Sequence, residues 1–320
     1  MRRFGVVLST ATEGSPQEFI DIGKMAEDQG FEAVLVNEGR GDALACAEAI
    51  AMSTSRIKVG TNIANIYFRH PFLVAMTARA IDELSGGRVV LGFGMSHRPL
   101  LESLGIKMDQ PRQYMRSYAR TVKKLLAGQA IGSFFRPQPS LHPVPVYVAA
   151  VTTESAEVGG EEADGIMPFL PARPYLPKLV AAAKAAAQRV GKDPDAVDCI
   201  VSIPTFVSDD LEQARSAARY NLAFFAQLPF YRKQWRRCGF VEEMNAIQKL
   251  WQERGDRKAA AALIPDRMVE EVCIFGSVSQ CREQLEAFRE AGAAMPVLAV
   301  SPVNEERLTA TRKALHLLRP

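Results

Sequence analysis

The 320-residue sequence is poor in cysteine and histidine and lacks a long apolar run, and each shortage argues against a class of protein. Its five cysteines lie far apart without a C-x-x-C pair, which argues against a zinc site or a disulfide framework and predicts reduced thiols. No stretch of about 18 apolar residues offers a membrane span. The N-terminal letters MRRFGVVLST predict a first strand rather than an export signal. We therefore predict a cytoplasmic protein with no metal site and no membrane partner.

The sequence also lacks an excess of one charge and several well-known motifs. Its formal net charge of +3 comes from 39 basic and 36 acidic residues without a basic block, so nucleic-acid binding has little support. After Gly92-Phe93-Gly94, the third glycine position of G-x-G-x-x-G is His97, and neither G-x-x-x-x-G-K nor G-x-S-x-G occurs. These absences leave a bound organic cofactor as the reactive group, with a protein that binds and orients it.

What the sequence does contain is an alternation of strands and helices. The stretch from Ala78 to Pro99 predicts a helix end, a glycine turn, a buried strand and a loop, in that order. Similar patterns predict eight strands, at Phe4–Leu8, Ala33–Val36, Arg56–Ile63, Arg88–Leu91, Val144–Ala150, Gly165–Met167, Val197–Val207 and Pro296–Val300. This order favours a single-domain α/β protein, a (β/α)8 TIM barrel, over an open doubly wound sheet. Residues 229–270 predict a helical insertion that could form a lid.

Three motifs carry a family resemblance. They are D-x-L-S-x-G-R-x-x-L-G-x-G at residues 82–94, R-H-P at 69–71 and V-G-T at 59–61. Together they resemble the luciferase-like monooxygenase superfamily, which includes bacterial luciferase, flavin-dependent alkane and sulfonate monooxygenases, and enzymes that use the deazaflavin coenzyme F420. The resemblance covers residues 4–128, is weaker at 145–170 and 274–300, and is absent between. It implies a barrel with a bound flavin or deazaflavin, and the pattern is most similar to the methylenetetrahydromethanopterin-reductase-like branch, which favours F420.

The resemblance implies cofactor contacts at the carboxyl ends of strands three to six. The matching residues are Thr61, Asn62, Ile63, Ser96, His97, Ala149, Ala150, Val151, Thr152, Met167 and Pro168. Backbone N–H groups and the start of the helix at Thr153 could receive a cofactor phosphate. For Ala149 and Ala150 alone, tight strand packing is the simpler interpretation. The resemblance also implies a non-proline cis peptide with a bulge at Asn62–Ile63, for which a plain trans strand end is the alternative.

Two candidate catalytic residues follow strand ends. Glu38 could hydrogen-bond substrate or donate a proton, or it could be an ordinary solvated acid. His97 could line the pocket, or it could be a structural hydrogen-bonding residue. In the deazaflavin branch the matching acid is usually followed by a histidine, whereas Gly39 follows Glu38 here. This departure removes a familiar general base, so we do not expect the sugar-phosphate dehydrogenase activity of that branch. We expect structural functions for His70, Arg88, Trp235 and Trp251, with Arg88 forming an ion pair.

These patterns lead to one expected function and two alternatives. The expected function is hydride transfer between coenzyme F420 and a small organic substrate. The first alternative is a reduced-FMN-dependent monooxygenase on the same fold, and the second is a noncatalytic flavin-binding protein, which the absence of a histidine at Gly39 permits. A small-residue helix at 42–51 and an apolar helix at 72–81 further predict a homodimer packed through the N-terminal half.

Overall fold

The computed structural model describes residues 3–11, 14–133 and 136–320, which form ten strands, fourteen α-helices and two single-turn 3-10 helices. The strands are β1 (Gly5–Ser9), β2 (Ala33–Asn37), β3 (Lys58–Thr61), β4 (Ala64–Asn65), β5 (Val89–Gly94), β6 (Val146–Ala149), β7 (Gly165–Met167), β8 (Asp198–Val207), β9 (Ile274–Gly276) and β10 (Met295–Val300). The helices are α1 (Pro16–Asp28), α2 (Ala43–Ser53), α3 (Pro71–Ser85), α4 (Arg98–Ser103), α5 (Pro111–Leu126), α6 (Thr153–Glu162), α7 (Leu176–Arg189), α8 (Leu211–Ala226), α9 (Pro229–Arg237), α10 (Val241–Glu253), α11 (Arg257–Ala262), α12 (Asp266–Val272), α13 (Val278–Glu290) and α14 (Arg307–Leu317).

Eight of these strands close into a parallel barrel. Starting at β1, the order runs through β2, β3, β5, β6, β7 and β8 to β10, and β10 pairs with both β8 and β1. The closing ladder between β8 and β10 is the longest, with six residue pairs from Met295 opposite Ile200 to Val300 opposite Thr205. This arrangement confirms the predicted (β/α)8 TIM barrel.

Three short elements differ from the sequence prediction. The predicted third strand, Arg56–Ile63, is interrupted: β3 ends at Thr61, the Asn62–Ile63 peptide bond is cis as predicted, and β4 then pairs with β5. Strand β9, which pairs with the far end of β8, and helix α4 were not predicted. These elements have two, three and six residues, which is too short for a periodic apolar pattern to show.

Alternation along the strands separates two apolar layers. Ala33 and Leu35 point into the barrel, where they join Val90, Tyr147, Met167, Ile200, Met295 and Val297 in an interior cluster. Val34 and Val36 point outward, into the larger cluster between the strands and the helices. The barrel is therefore filled by side chains, and a ligand can enter at its ends but cannot pass through it.

Local contacts explain where several helices begin and end. Helix α1 starts with a capping box of Ser15 and Glu18, and α3 starts where the His70 side chain accepts the Phe72 N–H, which confirms the structural interpretation of His70. Arg88 also has a structural position, although its partners differ from those predicted. Its guanidinium donates to the carbonyl oxygens of Ala51, Thr54 and Ile57 instead of pairing with a carboxylate, and so it holds the end of α2.

The predicted insertion is helical and consists of α9 to α12. The domain organisation stays a prediction, although one apolar cluster runs from Phe4 to Leu318 and includes residues of α9 to α12. Within the described parts of the chain, no helix is long and apolar enough to cross a bilayer. Those same residues bring together no group of three or more His, Cys, Asp or Glu side chains that could hold a metal ion.

Candidate active site

A layer of neutral polar side chains covers the apolar interior at the carboxyl end of the barrel. The Ser9 hydroxyl donates to Asn37 Oδ1 at 3.3 Å, and Asn37 Nδ2 donates to the Asn62 carbonyl oxygen at 3.3 Å. Asn62 Nδ2 then donates to Ser202 Oγ at 2.7 Å. Because β3 and β8 lie on opposite sides of the ring, this last bond crosses the barrel. We call Ser9, Asn37, Asn62 and Ser202 the polar floor.

Ile63 places an apolar surface beside the polar floor. Its half-buried side chain packs against the interior cluster, and a Cβ added at Gly94 would lie 2.4 Å from Ile63 Cδ1. Only a glycine at position 94 permits that approach. The carboxyl end therefore presents apolar surface next to hydrogen-bonding groups, as a planar ring with polar edges would require.

Thr61, another predicted contact residue, is fully buried in the sheet. Its hydroxyl donates to the Gly92 carbonyl oxygen at 2.9 Å and accepts the Gly92 N–H at 3.1 Å. These two bonds replace sheet hydrogen bonds where β3 separates from β5. The cofactor contact of Thr61 stays a prediction, and this geometry favours a structural function instead.

Glu38 lies behind the Asn62–Ile63 segment and continues the outward-facing series of Val34 and Val36, on the side of the sheet that faces the helices. Its side chain is 3 % exposed, with Oε1 at 2.5 Å from Arg69 Nη1 and Oε2 accepting the Asn65 N–H at 2.7 Å. The Glu38 backbone N–H also donates to the Ile63 carbonyl oxygen at 3.1 Å. Glu38 thus holds both sides of the segment that carries Ile63. Its catalytic function stays a prediction, and these contacts favour a positioning function.

The structure leaves no room for a side chain at Gly39. A Cβ built there would lie 2.4 Å from the Ala11 Cβ and 2.5 Å from the Ala11 Cα, closer than real contacts. The Gly39 N–H donates to Thr10 Oγ1 at 2.8 Å, which fixes the β1–α1 connection in this place. The loop after β1 therefore occupies the space that a histidine at position 39 would need.

His97 belongs to an aromatic wall on another side of the opening. Its ring centroid lies 5.8 Å from that of Tyr231 in α9, and Tyr231 also contacts Phe169 and Phe225. Burial lowers the pKa of His97 below its ordinary value, so the imidazole is neutral at neutral pH. We call His97, Phe169, Phe225 and Tyr231 the aromatic wall.

Helix α9 is firmly attached beside the aromatic wall. Gln234 Nε2 and Trp235 Nε1 both donate to the Leu170 carbonyl oxygen, at 2.9 and 3.2 Å, and both side chains are fully buried. This burial agrees with the packing interpretation of Trp235. A fixed wall describes this part of the insertion better than the predicted lid.

The start of α6, the predicted phosphate site, is largely satisfied from within. The Val151 and Thr152 N–H groups both donate to Ser155 Oγ, at 3.2 and 3.1 Å. Glu154 lies at the same helix end, where its hydrogen bonds to Arg237 lower the pKa of its carboxyl to about 2. The predicted contacts of Val151 and Thr152 stay predictions. Arg237 is the nearby cation that the sequence interpretation did not identify.

The other predicted contact residues divide by exposure. Ser96 and Ala149 are half-buried and open toward the carboxyl end, whereas Ala150, Met167 and Pro168 are buried. Met167 belongs to the interior cluster, below the level of the polar floor. The structure therefore brings Asn62, Ile63, Ser96, His97 and Ala149 to the strand ends around the opening, whereas Thr61, Ala150, Met167 and Pro168 are buried.

The sequence interpretation missed three members of the polar floor. Ser9, Asn37 and Ser202 each lie two residues after an inward-facing apolar residue, namely Val7, Leu35 and Ile200. A polar residue that continues an inward-facing alternation near the carboxyl end of a barrel strand was the available signal.

Comparisons with known proteins agree with this geometry. The sequence model described as luciferase-like monooxygenase matches residues 2–295. A 5,10-methylenetetrahydromethanopterin reductase from Archaeoglobus fulgidus is 27% identical over 314 residues, which cover 92% of this chain and 91% of that protein. A putative coenzyme F420-dependent oxidoreductase from Mycobacterium tuberculosis is 25% identical over 331 residues, covering 91% and 93%.

Solved structures show the same fold. The coenzyme F420 dependent tetrahydromethanopterin reductase from Methanopyrus kandleri superposes with a TM-score of 0.81 at 21% identity, covering 99% of this chain and 98% of that one. The EDTA monooxygenase from Chelativorans sp. BNC1 gives a TM-score of 0.73 at 18% identity, with coverage of 100% and 93%. With the family match over nearly the whole sequence, this chain belongs to the luciferase-like monooxygenase family.

Proposed function

We propose that the protein binds coenzyme F420 at the carboxyl end of the barrel and transfers hydride between it and a small organic substrate. The observation that carries the proposal is the polar floor beside Ile63. A deazaflavin ring combines an apolar face with carbonyl and N–H groups along its edge, and the site offers an apolar surface next to neutral donors and acceptors. When bound, F420 supplies the ring carbon that gives or takes the hydride.

The side chains at the opening would bind and orient that group. Ile63 would contact the ring face, and Asn37 and Ser202 would offer hydrogen bonds to its edge. Asn65, which follows Ile63 closely, is 3 % exposed, and its Nδ2 has no hydrogen-bond partner within the described structure. A buried donor left unpaired costs about 1–3 kcal/mol, so an acceptor on the bound cofactor would stabilise this site.

Acid–base catalysis has less support from this geometry than positioning does. Glu38 is tied to Arg69, and burial keeps His97 neutral. Hydride transfer depends chiefly on holding the donor and acceptor carbons in contact, and it can proceed with neutral groups around the ring. We therefore propose that the chain contributes mainly binding and orientation, while Glu38 and His97 stay predicted catalytic residues.

Cofactor titration of the purified protein tests this proposal. F420 should bind with a shift of its single violet band, and the Ser202→Ala variant should bind it about tenfold more weakly, since one edge hydrogen bond in a site closed to water contributes about 1.5 kcal/mol. The matched control is Ser117→Ala, which removes an exposed hydroxyl on α5.

Other outcomes would replace the proposal. Tighter binding of FMN, seen by its two visible bands, together with oxygen consumption after reduction would favour the monooxygenase. That alternative draws support from the superposition with the EDTA monooxygenase. Binding of a cofactor without turnover of any hydride source would favour the noncatalytic protein.

We further propose a homodimer that packs through α2 and α3. Met52, Leu73, Met76 and Leu84 are each at least 50% exposed on these two helices and offer apolar surface that a second copy of the chain would cover. Leu73→Glu combined with Met76→Glu should convert a dimer into a monomer in light scattering, whereas Leu141→Glu, at an exposed loop position, should not. A wild-type monomer at micromolar concentration would contradict the proposal. The cytoplasmic location likewise stays a prediction.

A further inference from the structure

A separate cavity lies between α8, α11 and the segment that joins β10 to α14. Its volume is about 760 Å³, within the range of about 300–1,000 Å³ for small-molecule pockets. We call it the α8–α11 cavity. Phe206, near the carboxyl end of β8, and Ser301, directly after β10, both line it, so it lies at the same end of the barrel as the polar floor. Its lining includes no residue of that floor.

The lining of this cavity is strongly cationic. Among the described residues that line it there is no acidic side chain, and four are basic: Arg219, Arg257, Lys258 and Arg307. Asp266, which does not line the cavity, forms an ion pair with Arg219. In a chain with a net charge of only +3, such a concentration of one sign in a concave surface creates a local positive potential.

Arg257 is held in place by neutral groups. Its guanidinium lies 3.7 Å above the ring centroid of Tyr220, and its Nε donates to the Tyr220 carbonyl oxygen at 3.0 Å. No ion pair joins Arg257 or its neighbour Lys258 to a carboxylate of the described residues. A guanidinium that is stacked on an aromatic ring keeps its outer N–H groups oriented for a planar anion.

Apolar surface accompanies these charges. Ala217 in α8 and Ala261 in α11 line the cavity together with Tyr220. Since inorganic ions need no apolar contact, this combination fits a carbon skeleton that bears an anionic group.

We propose that the α8–α11 cavity binds an organic anion whose carboxylate or phosphate group pairs with Arg257 and Lys258 and whose carbon skeleton contacts the alanine surface. This inference does not depend on the proposed cofactor or reaction. It assigns a ligand class to residues that lie apart from the polar floor.

The test uses three probes of similar shape: phenyl phosphate, phenylacetate and the neutral phenylacetamide. Ligand-observed NMR with the full-length protein should show binding of at least one of the two anions. The anion that binds more tightly shows whether phosphate or carboxylate is the favoured group. Phenylacetamide should bind at least tenfold more weakly. Lys258→Glu should weaken anion binding about tenfold, because it removes one attraction and adds a repulsion of similar size.

Lys233→Glu is the matched control, since Lys233 is an exposed lysine of α9 outside the cavity lining. It makes the same charge change and should leave anion binding within about twofold. Both lysines are exposed, so thermal unfolding should show that the two variants fold as the wild type does. The proposal is wrong if neither anion binds below about 10 mM, if phenylacetamide binds equally well, or if the two variants have equal effects. Titration of the same variants with F420 measures cofactor binding separately, so a failure of this proposal can be distinguished from a failure of the proposed function.

Discussion

The two ends of the barrel close the same strands with different chemistry. At the amino end, Arg3 contacts Asp198 at 2.9 Å and Glu32 at 3.2 Å, and Lys58 contacts Glu32 at 3.0 Å. The Tyr147 hydroxyl, which comes from the interior cluster, donates to Asp198 at 2.9 Å. At the carboxyl end, the groups that cover the same interior are the neutral side chains of the polar floor.

This difference matches the division of labour in barrels of this type, in which the carboxyl end binds ligands and the amino end contributes stability. Strand β8 carries both kinds of group, with Asp198 at its start and Ser202 four residues later. Ionic groups lose much hydration energy when an apolar ring covers them, whereas amides and hydroxyls lose less. A neutral floor therefore suits a site that must be covered by a cofactor.

The largest effect is expected for the ion pair of Glu38 and Arg69, which lies behind the polar floor. Glu38→Ala should lower the free energy of unfolding by about 3 kcal/mol, because it leaves the half-buried Arg69 with the more exposed Asp42 as partner and leaves the Asn65 N–H without its acceptor. Urea unfolding measures this change. Glu83→Ala, at an exposed position of α3, is the control and should have little effect.

The conservative variant Glu38→Gln separates positioning from catalysis. If Glu38 positions the segment that carries Ile63, stability and F420 affinity should fall together in the variant, because that segment loosens. A catalytic acid predicts lower kcat with unchanged affinity and unchanged stability. The second pattern would place a functional charge at the carboxyl end and would break the comparison between the two ends.

The next largest effect concerns the amino end. Asp198→Asn should lower the free energy of unfolding by about 2 kcal/mol, because Arg3 loses one of its two anionic partners and Tyr147 loses a charged acceptor. F420 affinity should stay within about twofold, since the polar floor lies at the other end of the barrel. Ser202→Ala should weaken cofactor binding, and it should also lower the free energy of unfolding by about 1–3 kcal/mol, because it leaves the buried Asn62 Nδ2 without its acceptor. Equal effects of the two variants on F420 affinity would contradict the division between the ends.

The sequence was sufficient to predict the barrel because each strand–helix unit has its own local signal. Ser15 with Glu18 and the turn at Gly86 mark helix ends by rules that involve neighbouring residues only. The cis bond at Asn62–Ile63 has no such signal, since neither residue is proline, and its position came from the family resemblance alone.

The candidate site was less predictable because its contacts join distant residues. Asn62 and Ser202 are 140 residues apart, and no local pattern indicates that one faces the other across the barrel. The orientation of Glu38 was within reach, since it continues the outward series of Val34 and Val36. The lack of space for a side chain at position 39 could not be predicted, because it depends on where the loop at Ala11 lies relative to the end of β2.

The smallest expected effect comes from His97, the titratable member of the aromatic wall. Burial lowers its folded-state pKa, so below about pH 6.5, the ordinary value, the unfolded chain binds a proton that the folded chain does not. Stability should therefore be unaffected by His97 above that pH and should fall as the pH decreases toward the folded-state pKa, by at most about 1.4 kcal/mol per pH unit.

His97→Phe removes this titration while keeping a ring against Tyr231. Urea unfolding at several values between about pH 5 and 7.5 should show a shallower decline for the variant than for the wild type. The other three histidines, His70, His142 and His316, are present in both proteins, so the difference isolates His97. Identical pH profiles would show that His97 is not held neutral by burial. If it were instead protonated near neutral pH, the carboxyl end would carry a cation in its aromatic wall, and F420 affinity would then change between about pH 6 and 8.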